Sequence, residues 1–464
     1  MPVQPASPVA FQRALGLGDV ALLTVGGTLG SGVFLTSSDV ARATGDAWLI
    51  VLVWPLGGLL VLAGALSFAE LGAMFPRAGG QYHFIREAWG ELPAFLFGWA
   101  CFFVIMSGGN ATLAVASGEY LSAFVPELQH PLLTLPIGHS SFELRGVALV
   151  AAFAIVVLTA INVRGVREGA LLQSVVTVAK MLALLALAAA GLLWSGAGAA
   201  PSSAPAPTLP PAGAGLLAGV GLAMIGVLWT YDGWYGATNV GEEIREPQRN
   251  LPRGLLLGTL GVTLLYTLVN VAYVRVLTPA EMASASRVGE VAAARLFGDT
   301  GARLVSAAVV VSCLGCLSAT ILYAARVYVP MARDGLFFRA LGELHPRHGT
   351  PAASLWAQAA WSVLLAFSGS FEQLYTYTTF VVVGSYVAIG AALFVLRRRR
   401  PELARPYRAW GYPWLAALFV LVSAGLLLNT LVERPREALL GAGLLALGLP
   451  AYSFWRSRRA SAAA

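Results

Sequence analysis

The sequence predicts an all-α membrane protein with twelve transmembrane helices, arranged as two inverted repeats of five helices with two more appended. Three observations carry this. Apolar runs of roughly 20 residues, enough to cross a bilayer as helix, recur along the whole chain. Of the 464 residues 57% are hydrophobic and only 11% are charged, where an ordinary soluble domain has about 25% charged residues. Two of the runs, the first and the sixth, are interrupted by glycine at half their length, which is the pattern of an inverted-repeat transporter. Five is odd, so a second copy that starts at the sixth span must be inserted upside down.

The spans read as roughly 16–37, 47–75, 92–118, 146–163, 170–195, 214–241, 251–276, 302–330, 351–368, 372–396, 412–432 and 437–455. Residues 1–15 form a first terminal segment, 16–195 the first repeat, and 196–213 a proline-rich loop. The second repeat covers 214–396, a basic loop 397–411, the last two spans 412–455 and a tail 456–464. With the N-terminus inside, about 21 arginines fall on inner segments and about 8 on outer ones, so both termini are expected in the cytoplasm of a cell bounded by this membrane. The net charge of +7 follows from that bias and does not call for nucleic acid. Met1 to Asp19 lacks a basic cluster ahead of a short apolar core, so the first span is expected to be retained. Residues 278–300 have helical spacing and mixed polarity, as expected of a short helix lying over the outer face.

The first interruption is Val25-Gly-Gly-Thr-Leu-Gly-Ser-Gly-Val-Phe34. Each glycine costs a helix about 1 kcal/mol relative to alanine, and in hydrocarbon every freed N–H and C=O needs another partner. The restart after Gly32 presents N–H groups with partial positive charge, which suit an anion. The carbonyls from Gly26 to Leu29 suit a cation, and those near Trp229 and Thr230 in the sixth span add to them. A ligand with a carboxylate and an ammonium one carbon apart, an α-amino acid, satisfies both sets. Glycine lets it approach the backbone, and the Ser31 hydroxyl can donate to its carboxylate. Gly26-xxx-Gly30 also fits close helix packing, but two such clusters at matching positions favour a site.

At these residues a family resemblance becomes specific. Gly-Thr-Leu-Gly-Ser-Gly-Val-Phe (27–34) resembles the first-span signature of the amino acid–polyamine–organocation superfamily. Phe68-Ala-Glu-Leu-Gly-Ala-Met-Phe-Pro-Arg-Ala-Gly-Gly-Gln-Tyr82 is similar to its second-span signature. Tyr231-Asp-Gly-Trp, followed by Glu242-Glu-Ile-Arg-Glu-Pro-Gln-Arg-Asn-Leu-Pro252, resembles the L-type amino acid transporter branch. So do Ala332-Arg-Asp-Gly-Leu and His345-Pro-Arg-His-Gly-Thr-Pro351. The resemblance implies the LeuT fold and sodium-independent amino acid transport, by exchange of neutral amino acids in that branch. It places Gly30, Ser31 and Gly32 at the carboxylate and Trp229, Thr230 and Asp232 at the ammonium, with Thr28 and Gly233 completing the candidate site. It also gives Trp229 the position of an aromatic gate. A large rigid ring suits that task, although it would equally pack in the span.

Lys180 is the only lysine in the chain and lies mid-span, where an ionisable residue is functional by default. The resemblance gives it the place where sodium-coupled relatives bind a cation. It could instead snorkel to an interface, or carry a coupled proton, which would make the protein a symporter. Asp232 could favour cationic substrates or pair with a polar neighbour. Glu70 and Arg77 are expected in an inner gate, whereas Glu242, Glu243, Arg245 and Arg249 read as structural loop charges. Cys101, Cys313 and Cys316 all lie within spans, so no disulfide-linked partner subunit is expected. Cys313 and Cys316 share a helix face and read as small packed hydrophobes more readily than as a redox or metal pair. No cofactor or metal is expected. The five histidines lie in loops, apart from any nucleophile cluster, which argues against an enzyme. An amino acid sensor on the same scaffold would usually need a signalling domain, and only a dozen residues follow Tyr452.

Overall fold

The computed structural model describes residues 10–137, 140–195, 216–368, 371–433 and 435–463. The proline-rich loop expected over 196–213 lies outside them, as does most of the first terminal segment.

The first span is two helices, α1 (Leu17–Thr28) and α2 (Gly32–Thr44), which meet at 48°. α1 opens with the Gly16 N–H donating to the Asp19 carboxylate at 2.8 Å, a negative charge at the positive end of the helix dipole. α2 closes on Gly45 at φ 63, the left-handed conformation that glycine adopts without strain. Asp46 then caps α3 (Ala47–Met74), accepting from the Leu49 N–H at 3.0 Å. The dipeptide Gly-Asp thus stops one helix and starts the next.

α4 (Gly80–Trp89) lies beyond the end of α3. The third span is α5 (Glu91–Ala100) and α6 (Met106–Leu121), joined by a π-helical turn at Cys101–Ile105. An antiparallel hairpin follows, β1 (Pro131–Ile137) and β2 (Ser140–Arg145), with Thr134 opposite Glu143. It is an addition to the expected all-α chain, because hydropathy resolves spans and not short strands in a loop. α7 (Gly146–Arg164), α8 (Val166–Leu192) and α9 (Leu216–Thr230) are the next three spans. Beyond Thr230 the sixth span does not resume as α-helix; it continues in turns and two 3₁₀ segments, Gly236–Asn239 and Gly241–Glu243. α10 (Pro247–Val276) leads to the short α11 (Pro279–Ser284). α12 (Val288–Arg333) bends at Gly298 before it enters the bundle. α13 (Ala352–Ser368), α14 (Phe371–Arg399) and α15 (Trp414–Glu433) complete the main body. The last apolar stretch is broken at Leu447 into α16 (Pro435–Ala446) and α17 (Gly448–Ala463), where one span ending near 455 was expected.

The repeat is visible in the packing. Helices five spans apart lie against one another: α3 on α10, α6 on α12, and α7 on α13. At the end of the bundle that carries the N-terminus, the two interrupted spans are sewn together. The Leu15 N–H donates to Glu243 O at 2.9 Å, and the Arg245 N–H donates to Leu15 O at 2.8 Å. Beside them, Arg326 on α12 and Glu243 form an ion pair at 2.7 Å in which both side chains are wholly buried. At the opposite end α11 packs over α2, where Arg42 Nε donates to Ala283 O at 2.8 Å.

Candidate functional site

The interruptions of the first and sixth spans face each other across one cavity, walled further by α6, α12, α14 and α15. Its volume is about 120 Å³. That is several times the roughly 30 Å³ share of one water in the liquid, room for an organic molecule on the scale of an amino acid.

Thr28, Gly30, Ser31, Gly32, Trp229, Thr230, Asp232 and Gly233 all line this cavity. The structure therefore brings together every candidate binding residue read from the sequence. α1 stops at Thr28 and α2 restarts at Gly32. The Phe34 N–H donates to Ser31 O at 3.1 Å, so Ser31, Gly32 and Val33 supply the N–H groups outside the ladder of α2. The two spans touch through their glycines. A Cβ on Gly32 would lie 2.6 Å from Thr230 Cγ2, and one on Gly233 would lie 2.3 Å from Gly27 O. Gly233 also stands at φ 92.

The carbonyls of the first break have fixed donors. Lys180, 2% exposed, donates from Nζ to Gly26 O at 2.9 Å and to Leu29 O. Ser312 Oγ donates to Leu29 O at 3.1 Å and to Gly30 O at 3.0 Å. Cys316 Sγ donates to Gly27 O at 3.0 Å, and Tyr266 Oη to Thr28 O at 3.0 Å. Lys180 is thus a strut behind the cavity and not part of its wall. The ammonium brings positive charge to the carbonyl end of α1, where the helix dipole favours it.

Ser312, Cys316 and Tyr266 were not expected here. The spacing of Ser312 and Cys316, one α-helical turn apart on a span flanked by small residues, was the available signal. Cys316 reads as core by composition, but its thiol donates to a break carbonyl and it faces the cavity. Among the described residues, no cluster of three or more His, Cys, Asp or Glu side chains could hold a metal ion.

Asp232 accepts a hydrogen bond from Tyr386 Oη on α14, which matches the reading in which it pairs with a polar neighbour. Trp229 is half-buried at the end of α9. Glu70 is fully buried and meets Arg397 Nε at 2.9 Å, Arg405 Nε at 3.5 Å and the Ala409 N–H at 2.7 Å. It therefore ties α3 to the basic loop after α14. Arg77 is exposed, and the arginines that meet Glu70 are Arg397 and Arg405. Glu243, read as a structural loop charge, is the buried partner of Arg326.

Two discontinuous helices meeting across an amino-acid-sized cavity in a five-plus-five bundle define a secondary transporter of the LeuT fold. The sequence matches the amino acid permease family over residues 15–438, and the chain belongs to that family. It is a multi-pass membrane transporter of amino acids and not an enzyme. It is 30% identical to the b(0,+)-type amino acid transporter 1 of Mus musculus, across 92% of this chain and 84% of that one. It is 29% identical to the serine/threonine exchanger SteT of Bacillus subtilis (strain 168), across 97% and 98%. It is 28% identical to the large neutral amino acids transporter small subunit 2 of Homo sapiens, across 96% and 80%.

Proposed function

We propose that this protein exchanges neutral L-α-amino acids across the cytoplasmic membrane by alternating access, without sodium and as a single subunit, with both termini in the cytoplasm. The substrate carboxylate lies against the N–H groups of Ser31, Gly32 and Val33. Its ammonium lies toward the break that follows Thr230, and Trp229 covers it. One observation carries the sodium independence. The Lys180 ammonium already occupies the carbonyls of Gly26 and Leu29, supplying positive charge where a coupled metal cation would need oxygen ligands. Relatives that are an exchanger and a transporter of amino acids support the same reading. The three cysteines are buried, which agrees with a chain that works without a disulfide-linked partner.

Uptake into proteoliposomes tests the proposal. Lumenal unlabelled amino acid should drive entry of labelled alanine, and replacing sodium with choline should change nothing. Accumulation into an empty lumen driven by a pH gradient would overturn exchange in favour of proton symport. A requirement for sodium would overturn the role given to Lys180.

A further inference from the structure

We infer that the loop between α14 and α15 is a binding site for an anionic phospholipid, whose phosphate meets Arg398, Arg399 and Arg408 while its upper acyl chains lie against Trp410 and Trp414. The inference concerns the bilayer side of the protein and is independent of what the cavity carries. From Arg397 to Trp414 the chain has six arginines and one acid, Glu402. Three of the six are engaged: Arg397 and Arg405 meet the buried Glu70, and Arg400 meets Glu402 at 2.8 Å. Arg398, Arg399 and Arg408 are exposed and, among the described residues, make no ion pair.

The loop has a fixed shape that gathers these three. Arg405 donates from Nη1 to Leu403 O at 2.8 Å, and from Nη2 to Leu396 O at 3.1 Å and Arg400 O at 3.0 Å. It thereby folds the loop back onto the end of α14 and takes up carbonyls that the helix leaves free. The Tyr412 ring centre lies 3.7 Å from the Arg397 guanidinium and 5.2 Å from the Phe394 ring. These contacts set the start of α15 beside the last turns of α14. Arg398 and Arg399 at one end of the loop, and Arg408 at the other, therefore share one corner of the molecule.

The adjoining helix face says what this corner meets. Trp414, Leu418, Leu421, Leu428 and Val432 are all exposed and recur at helical spacing along one side of α15, the side that faces lipid. Trp414 is 79% exposed and Trp410 76%, so the two indoles stand where that side begins, the place such rings take at a membrane interface. Unpaired guanidiniums next to them suit a phosphate, which arginine can hold through two parallel N–H bonds. A soluble phosphate would use the arginines and leave the indoles in water. A phospholipid covers both, and a net negative one balances charge that a zwitterionic headgroup would leave uncompensated.

The test is quenching of tryptophan emission by brominated lipids, with the whole protein in dodecyl maltoside. Brominated phosphatidylglycerol should quench at about tenfold lower concentration than brominated phosphatidylcholine. Arg398→Gln/Arg399→Gln/Arg408→Gln should abolish that preference, since one basic residue near an anionic surface contributes up to roughly fivefold. Trp410→Phe/Trp414→Phe should remove the headgroup-dependent part of the quenching. Arg249→Gln/Arg253→Gln/Arg339→Gln, three exposed arginines elsewhere, should keep it, and glycerol phosphate, which has the charge without the tails, should not compete. Equal quenching by the two lipids in wild type would overturn the site, as would competition by glycerol phosphate. Equal loss in both arginine triples would mean diffuse charge, and emission from Trp410 and Trp414 that neither lipid quenches, in a protein that scatters light as a dimer, would mean a second copy of the chain; each overturns it too. Should the loop triple not purify as a monodisperse protein, Arg408→Gln alone decides, and it should reduce the preference at least about twofold.

Discussion

At the scale of single residues, Gly32 and Lys180 are the most exposed to test. Any side chain on Gly32 collides first with Thr230, whose Cγ2 and Oγ1 would stand 2.6 and 2.8 Å from the new Cβ. Gly32→Ala should therefore lower substrate affinity at least about tenfold by pushing α2 and α9 apart. Thr230→Ala removes both of those atoms, so the double variant should recover part of the loss, a coupling expected of residues in contact. Affinities from equilibrium binding of labelled substrate would show it; purely additive losses would mean that the two sites act separately. Lys180→Ala removes the donor to Gly26 O but leaves Ser312 on Leu29 O. The protein should still purify as a folded monodisperse species, while transport falls at least about tenfold, since a buried polar group left unpaired costs roughly 1–3 kcal/mol. Unchanged uptake would remove Lys180 from the mechanism.

At the scale of elements, the end that carries the N-terminus and the opposite cap each contain an ion pair that joins separate elements. Glu243 and Arg326 are both wholly buried. Glu243→Gln should destabilise the protein by about 3–5 kcal/mol, because it strands an arginine away from water. The double variant with Arg326→Met should be closer to wild type in a thermal melt in detergent. The opposite cap depends on Glu281, whose carboxylate takes Arg295 Nη2 at 2.8 Å and the Thr278 N–H at 2.8 Å. The Arg295 guanidinium, with help from Thr278, holds its pKa down from 4.5 to about 2. A depressed carboxylate means that the unfolded segment binds the proton more readily, so stability rises with pH in that window. The contribution is complete above pH 4.5 and drains away as pH falls toward 2. Hydrogen-exchange protection in α11, corrected for the intrinsic rate at each pH, should fall across that range in wild type, and that fall should disappear in Glu281→Gln.

At the scale of the whole molecule, much of the architecture was legible in the chain. Span lengths follow from the thickness of hydrocarbon, and the interruptions of spans one and six follow from glycine chemistry, both of which are local properties. The eight candidate binding residues were found because they sit at those interruptions. The contacts that hold those interruptions were not legible: Lys180 reaches Gly26 and Leu29 across about 150 positions in the chain, and Tyr386 reaches Asp232 across a similar distance. Nor was the ragged end of the sixth span, which finishes as 3₁₀ turns because tertiary contacts such as the Leu15–Ile244 bridge satisfy its backbone.

By itself, then, the sequence determined that this chain crosses a membrane many times, in two copies of one plan, with bare backbone midway along the first span of each. Those features depend only on the hydrophobicity and backbone freedom of neighbouring residues. The tertiary structure alone decided which donors close the first break and which arginines meet Glu70 and Glu243. Those outcomes depend on the register in which distant helices pack, and no local stretch of chain carries that register.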